Sequence, residues 1–98
     1  MNQDNRAKTA TTPGTATFIR SNYPPVDLFR ITPGIPCDYA LEQAAAILGC
    51  VHKLIHTGVM DEDNDVVMAA YYLSGLAKAI INDVELGVRK SNVAAVRS

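Results

Sequence analysis

The stretch MDEDNDVV, residues 60 to 67, decides the fold because it separates two long apolar segments. It places four acids and an amide in five consecutive positions. Such side chains are favoured where a helix begins, because Asp63 or Asn64 can supply the N-cap oxygen and the other acids face the positive end of the helix dipole. The stretch therefore predicts the start of a second helix after a short connection.

The same acids offer a second interpretation, a calcium loop. Asp61, Asp63 and Asp65 match the first three ligand positions of an EF-hand. The next position requires glycine for a sharp turn, but it is Val66, and the bidentate glutamate of position 12 is replaced by Tyr72. Because half of the ligand set is missing, the pattern favours a helix start and predicts no metal site.

Two amphipathic helices are predicted, at about residues 37–59 and 65–90. A connection of about five residues places consecutive helices side by side and antiparallel. Both carry apolar stripes, and Val66, Leu73 and Ile80 recur every seven residues, which predicts packing at a shallow angle. The helix 1 sector comprises Leu41, Ala44, Ala45, Ile47, Leu48, Val51, Leu54 and Ile55; the helix 2 stripe comprises Val66, Ala69, Ala70, Leu73, Leu76, Ala77, Ile80 and Val84.

The predicted fold class is therefore all-α, an antiparallel helical hairpin over residues 37–90 with an extended N-terminal segment. Residues 1–17 have almost no large apolar side chains and are predicted to be a disordered tail. Residues 18–36 are predicted to be an extended and turn segment that packs on the helices, with one short extended piece at 28–31. Residues 91–98 are predicted to be a frayed C-terminus.

The apolar surface exceeds what one helical hairpin can bury. Helix 1 has an apolar sector of about 180°, wider than the ~100° that one neighbour covers, and no disulfide staple is available to so small a chain. This predicts a homodimer that forms a four-helix bundle. The predicted interface residues are Ile47, Leu54, Val67, Tyr71 and Ile81. In the alternative, residues 18–36 fold back over the second apolar face of a monomer, and both arrangements can hold together.

Several function classes have no support in the sequence. The net charge of −1 gives no broad basic surface for nucleic acid. No apolar run approaches the ~20 residues of a membrane span, and the N-terminus lacks the apolar region of a secretory signal. Cys37 and Cys50 lie too far apart on one helix to form a disulfide. These features predict a cytoplasmic protein.

Catalysis and cofactor binding also lack support. No nucleophile elbow, P-loop or dinucleotide fingerprint occurs. His52 and His56 have a spacing that zinc can use, but a structural zinc needs four ligands, so packing is the favoured role. We therefore predict a non-enzymatic interaction or regulatory protein without catalytic, cofactor or metal residues.

Two alternatives to the homodimeric interaction module stay open. One is a small-molecule binder whose pocket lies between the helices or under residues 18–36, edged by Tyr71, Tyr72 and His52. The other is a partner-specific adaptor whose N-terminal tail folds on an unidentified protein target.

Short motifs occur in an unusual order: LFR at 28–30, PGIP at 33–36, ALEQA at 40–44, AAYYL at 69–73 and AKA at 77–79. Over roughly residues 27–87 this order resembles a family of short bacterial proteins known as domain of unknown function 3077. The resemblance implies a small, mostly helical cytoplasmic protein. It implies no activity, cofactor or binding residue.

Overall fold

The computed structural model describes residues 10–97. The strands are β1 (Thr17–Asn22) and β2 (Pro25–Arg30), and the helices are α1 (Cys37–Met60) and α2 (Asn64–Arg97). The helices form the predicted hairpin. Gly58 near the end of α1 packs against Val67 at the start of α2, and Cys37 at the start of α1 packs against Gly87. The helices are therefore antiparallel neighbours.

The two strands correct the all-α prediction. β1 and β2 pair antiparallel, with Thr17 opposite Arg30 and Phe18 opposite Phe29. The sequence predicts one short extended piece at residues 28–31, without a partner in its own chain. Its partner is TFIRSN, which is rich in β-branched and aromatic residues at its start and is joined to β2 by a tight turn. We call residues 17–30 the β-arm.

The predicted helix boundaries agree with the structure to within one residue, except at the end of α2. α2 begins at Asn64 and continues to Arg97, seven residues beyond the predicted end at Lys90. The prediction of a frayed segment at residues 91–98 is thus corrected for 91–97. Neither glycine nor proline follows Lys90, so the strongest helix-ending residues are absent there.

The acidic connection works as two consecutive helix caps. After α1, Glu62 donates its N–H to the Val59 carbonyl and Asp63 donates to the Gly58 carbonyl, which is the Schellman arrangement. The Asp63 carboxylate then accepts the N–H groups of Asp65 and Val66 at 3.1 and 3.3 Å. Asp63 is therefore the N-cap of α2, and it is one of the two residues, Asp63 and Asn64, predicted for that role.

The contact between the helices is a seam with heptad spacing on both sides. Its α1 positions are Cys37, Ala40, Ala44, Ile47, Val51, Leu54 and Gly58, and its α2 positions are Val66, Ala70, Leu73, Ala77, Ile80, Val84 and Gly87; all of them are buried or half-buried. Small residues are interspersed with larger ones, and they permit close contacts such as that between Gly58 and Val67. The predicted seven-residue repeat of α2 is confirmed.

The prediction of a disordered tail at residues 1–17 is wrong for residues 10–16, which are ordered along the rest of the chain. Residues 1–9 of that tail lie outside the described chain. We call residues 10–16 the strap, and it runs beside residues 31–37. Thr12 donates its N–H to Ile35 and accepts from Gly34, and Cys37 donates to Ala10. Backbone hydrogen bonds hold the strap, and they require no apolar side chains.

The molecule is thin. Its principal extents are 55 × 36 × 15 Å, which correspond to one layer of helices with the strap on one side. Among residues 10–97, every fully buried apolar side chain is alanine, valine or cysteine. Leu, Ile, Phe, Tyr and Met side chains of the described chain are all half-buried or exposed. A single layer leaves the larger apolar residues without a second surface to pack against.

Candidate interaction surface

The two faces of the helix pair differ in what covers them. Residues one position before each seam residue lie on one face, and residues one position after lie on the other, because each step rotates by about 100°. The first face includes Asp83, and the strap covers it near Asp83 and Gly87. The second face has no covering segment within the described chain. We call it the open face.

The open face is apolar on both helices. Its large apolar members are Leu41, Leu48, Ile55 and Val59 of α1 with Val67, Tyr71 and Ile81 of α2, and their exposed fractions run from 37% to 67%. On α1 these residues repeat at spacings of seven, seven and four, so they form a second stripe beside the seam. The polar side chains Lys78 and Glu85 lie on the same face of α2 and are exposed.

The structure divides the five predicted interface residues between two places. Val67, Tyr71 and Ile81 lie on the open face and are exposed. Ile47 and Leu54 are half-buried in the seam between the chain's own helices. The open-face positions of α1 are taken by the next residues in the sequence. The wide apolar sector predicted for helix 1 includes both its seam residues and its open-face residues. Which of them belong to the seam depends on the position of α2.

Asp83 anchors the covered face. Its buried carboxylate accepts the N–H groups of Gly14, Thr15 and Ala16 at 2.9, 2.8 and 2.7 Å, together with the Thr15 hydroxyl at 3.2 Å. Burial raises the pKa of Asp83, but the three N–H groups and the hydroxyl outweigh burial and hold that pKa below its ordinary value. The carboxylate is thus a structural anchor for the strap.

Cys37 lies beneath the strap and is fully buried. Burial, followed by the charges of Asp83 and Asp38, raises the pKa of its thiol. The thiol therefore stays protonated, and its Sγ lies 3.9 Å from the carbonyl oxygen of Val84. A protonated, buried thiol is a packing group and not a nucleophile.

Two of the clefts that border these surfaces are lined in part by residues 18–36. One of about 360 Å³ lies between the β-arm and α2 and is lined by Phe18, Ile19, Tyr71, Tyr72, Ser74, Gly75 and Lys78. The other, of about 230 Å³, lies beside the strap and is lined by Thr12, Ile31, Thr32, Ile35, Tyr39, Ala40, Gln43 and Ile80. Small-molecule sites usually occupy about 300–1,000 Å³, so the first cleft has the size of a ligand site.

The predicted pocket residues are only partly brought together. Tyr71 and Tyr72 line the larger cleft, with ring centroids 5.6 Å apart and an edge-on arrangement. His52 lies on α1 beside Ile55 and His56, on a separate shallow groove. Within residues 10–97, no three His, Cys, Asp or Glu side chains are grouped as metal ligands would be. Neither helix of the described chain has the length and apolar content needed to cross a membrane.

Comparison with known proteins gives one match. A family described as "Protein of unknown function (DUF3077)" matches residues 12–87. These residues include the strap from Thr12 onward, the β-arm, α1 and α2 as far as Gly87. No curated protein and no solved structure gives a significant match.

Proposed function

The chain belongs to the DUF3077 family of proteins of unknown function, and we propose that it is a non-enzymatic protein–protein interaction module that acts as a homodimer. The two copies join through their open faces and form a four-helix bundle. The observation that carries this proposal is the absence of any fully buried Leu, Ile, Phe, Tyr or Met side chain among residues 10–97. A fully buried core of alanine, valine and cysteine leaves every larger apolar side chain of these residues partly in water.

The dimensions of the open face support a specific interface. A helix of 24 residues is about 36 Å long, and two packed helices are about 18 Å wide, so the face covers on the order of 600 Å² before side-chain relief is included. Stable interfaces bury about 800 Å² per partner. The flat area of the open face approaches that value, and side-chain relief or a further contact must supply the remainder.

A second copy is the partner that suits this face. Two-fold homodimers are the commonest soluble oligomers, and their interfaces are self-complementary. Beside its apolar residues, the open face carries Lys78 and Glu85 on α2 and Asp38 on α1. About a two-fold axis, the apolar residues of the two open faces meet. The heptad repeat of α1 suits the shallow crossing of a four-helix bundle.

The test is the mass in solution by light scattering over a concentration series. We expect wild type to have twice the chain mass of 10.6 kDa at micromolar concentration. Leu48→Glu places a charge on the open face and should give monomers. Gln43→Glu adds the same charge on the opposite face of α1 and should leave the dimer intact. A wild-type mass of one chain at every concentration would refute the homodimer.

The proposal also includes a location. Cys37 and Cys50 are both unpaired. Unpaired cysteines are normal in a reducing compartment and are uncommon in oxidising ones, which supports the cytoplasm. The adaptor alternative depends on residues 1–9, which lie outside the described chain, and it stays a prediction.

Small-molecule binding is a second candidate, favoured by the cleft of about 360 Å³ between the β-arm and Tyr72 of α2. Phe18 and the two tyrosines offer aromatic walls, and Lys78 offers a cation at the edge. This chemistry suits a flat aromatic acid. Titration with the aromatic sulfonate ANS, followed by NMR, tests it: shifts centred on Phe18 and Tyr72 support the cleft, whereas shifts centred on Val59 and Ile55 show binding to the open face instead.

A further inference from the structure

The β-arm is weakly supported by its own chain. In the described chain, no Cα atom of β2 lies within 8 Å of a Cα atom of either helix. β1 reaches α2 where the Phe18 ring lies against Gly75. A two-stranded hairpin is at best marginally stable in water unless further strands or a helix cover it. The β-arm as placed here therefore lacks most of the packing that a stable hairpin needs.

The apolar side chains of the β-arm point to where that packing comes from. All six residues of β2 are exposed. Leu28 is 67% exposed, Phe29 54% and Val26 52%, and in the turn Tyr23 is 96% exposed. Val26 and Leu28 share one face of β2, because side chains two residues apart in a strand point the same way. Solitary exposed apolar residues are ordinary, but two large ones on an uncovered face indicate an interaction surface.

We infer that the β-arm of each chain packs against α1 of the second copy. The homodimer is then held by two symmetry-related β-arm contacts as well as by the open faces. This inference rests on the proposed homodimer. It adds a second contact, made by residues that lie outside the helix pair.

The position of the β-arm makes this contact geometrically natural. The β-arm lies at the outer edge of α2, where the cleft it forms includes the open-face residues Tyr71 and Lys78. When two open faces meet about a two-fold axis parallel to the helices, α1 of one copy lies over α2 of the other. The β-arm beside α2 then lies next to the second copy's α1. Its strands, about 20 Å long at 3.3 Å per residue, can reach along that helix.

Net charge favours the second copy's α1 over its α2 as the helix that the β-arm contacts. The β-arm carries Arg20 and Arg30 against Asp27, a net charge of +1. α1 carries Asp38 and Glu42 against Lys53, a net charge of −1 with both histidines neutral. α2 has the sign of the β-arm, because its four cations, Lys78, Arg89, Lys90 and Arg97, exceed its three acids, Asp65, Asp83 and Glu85, by one.

Photo-crosslinking locates the contact directly. A p-benzoylphenylalanine photoprobe placed at Leu28 is irradiated in a mixture of isotopically light and heavy full-length chains. We expect crosslinks between light and heavy chains that map to α1. The same photoprobe at Tyr39, which is exposed on the face opposite the open face, should give none between chains. Crosslinks within one chain, or between chains but onto the β-arm or α2, would overturn the inference.

Affinity provides the second measurement. Leu28→Glu should raise the dimer Kd about tenfold, whereas Asn22→Glu adds the same charge to a polar, exposed position and should change it less than twofold. Circular dichroism confirms that helix content is unchanged. If wild type is a dimer and Leu28→Glu does not change its Kd, the β-arm contact is refuted and the homodimer is not. A monomeric wild type would remove both.

Discussion

Asp83 joins the N-terminal strap to α2 through four hydrogen bonds that span 67 to 69 residues of sequence. Three of the donors are consecutive backbone N–H groups, which converge on a single carboxylate. Because this carboxylate is fully buried, its charge is stabilised by these donors and not by water. One side chain on α2 thus fixes a segment whose own sequence has little to bury.

Replacing this carboxylate tests the anchor. Asp83→Asn keeps the size of the side chain but removes its charge and turns one acceptor into a donor. We expect a loss of about 2–3 kcal/mol in the free energy of unfolding by urea, as for buried hydrogen bonds to charged groups. Faster amide exchange at residues 14–16 should accompany it. Asp27→Asn removes a carboxylate that lies 4.0 Å from Arg20 at the surface and should cost under about 0.5 kcal/mol.

The same anchor predicts the direction of a pH effect. The pKa of Asp83 is lower in the folded chain than its ordinary value, so the folded state binds this proton less readily than the unfolded state. The stabilisation is fully present above about pH 4, the ordinary aspartate value, and it is lost as pH falls through the folded-state pKa. Equal slopes of unfolding free energy against pH below 4 in wild type and Asp83→Asn would contradict this assignment.

Gly87 allows the strap to cross α2 closely. A Cβ atom at this position would lie 2.3 Å from the Thr11 carbonyl oxygen and 3.2 Å from Cys37 Sγ. Gly87→Ala should therefore displace the strap and cost about 1–3 kcal/mol of stability, measured by urea unfolding. The matched control is Gly49→Ala, because nothing lies within 4 Å of a Cβ there; it should stabilise by roughly 0.5–1 kcal/mol through helix propensity. Equal effects of the two changes would contradict the close crossing.

At the scale of elements, the helices follow from local sequence and the strands do not. The seven-residue repeat of α2 and the acidic cap at Asp63 are local signals, and they predicted the hairpin and its connection. Residues 26–31 alternate in character, which predicts the extended piece at 28–31, but no local pattern predicts that residues 17–22 pair with it. Pro24-Pro25 reads as a break, although it lies where the chain turns from β1 into β2. The strap lies on α2 through Asp83, about seventy residues away, and no local pattern contains that information.

The candidate surface was predictable to a similar extent. The excess of apolar residues indicated an uncovered face, and Val67, Tyr71 and Ile81 lie on it. The wide sector of helix 1 could not show which half α2 would cover. Ile47 lies half-buried in the seam, whereas its neighbour Leu48 is exposed on the open face. Which of these two residues faces α2 depends on how the helices are rotated about their axes. That rotation is set by tertiary packing of small residues and not by either helix alone.

The connection between the helices contains a strained residue that a substitution can relieve. Glu62 has φ 53°, a left-handed conformation that is unfavourable for residues with a Cβ and that helix C-termini usually fill with glycine. Glu62→Gly should stabilise the chain by about 1 kcal/mol in urea unfolding. Asp61→Gly removes the same charge at a residue with φ −94° and should give no gain. A Glu62→Gly variant no more stable than wild type would contradict the cap.

At the scale of the molecule, thickness sets the behaviour. A body of 55 × 36 × 15 Å has room for one layer of helices, and one layer cannot enclose large side chains on two sides. The strap covers part of one face, around Asp83, with backbone and small residues, while the other face holds exposed leucine, isoleucine, valine and tyrosine. If a second copy covers the open face, as proposed, folding and association should be linked.

This linkage predicts that stability depends on protein concentration. If the folded state is a dimer and the unfolded state is a monomer, each tenfold dilution weakens the folded state by about 1.4 kcal/mol per dimer, and the urea midpoint falls accordingly. Ile55→Glu, on the open face, should give a low midpoint that no longer responds to dilution, because the monomer is then the folded species. Gln43→Glu should keep the wild-type response. A wild-type midpoint that is constant over a hundredfold range of concentration would mean that the single layer is stable without a second copy.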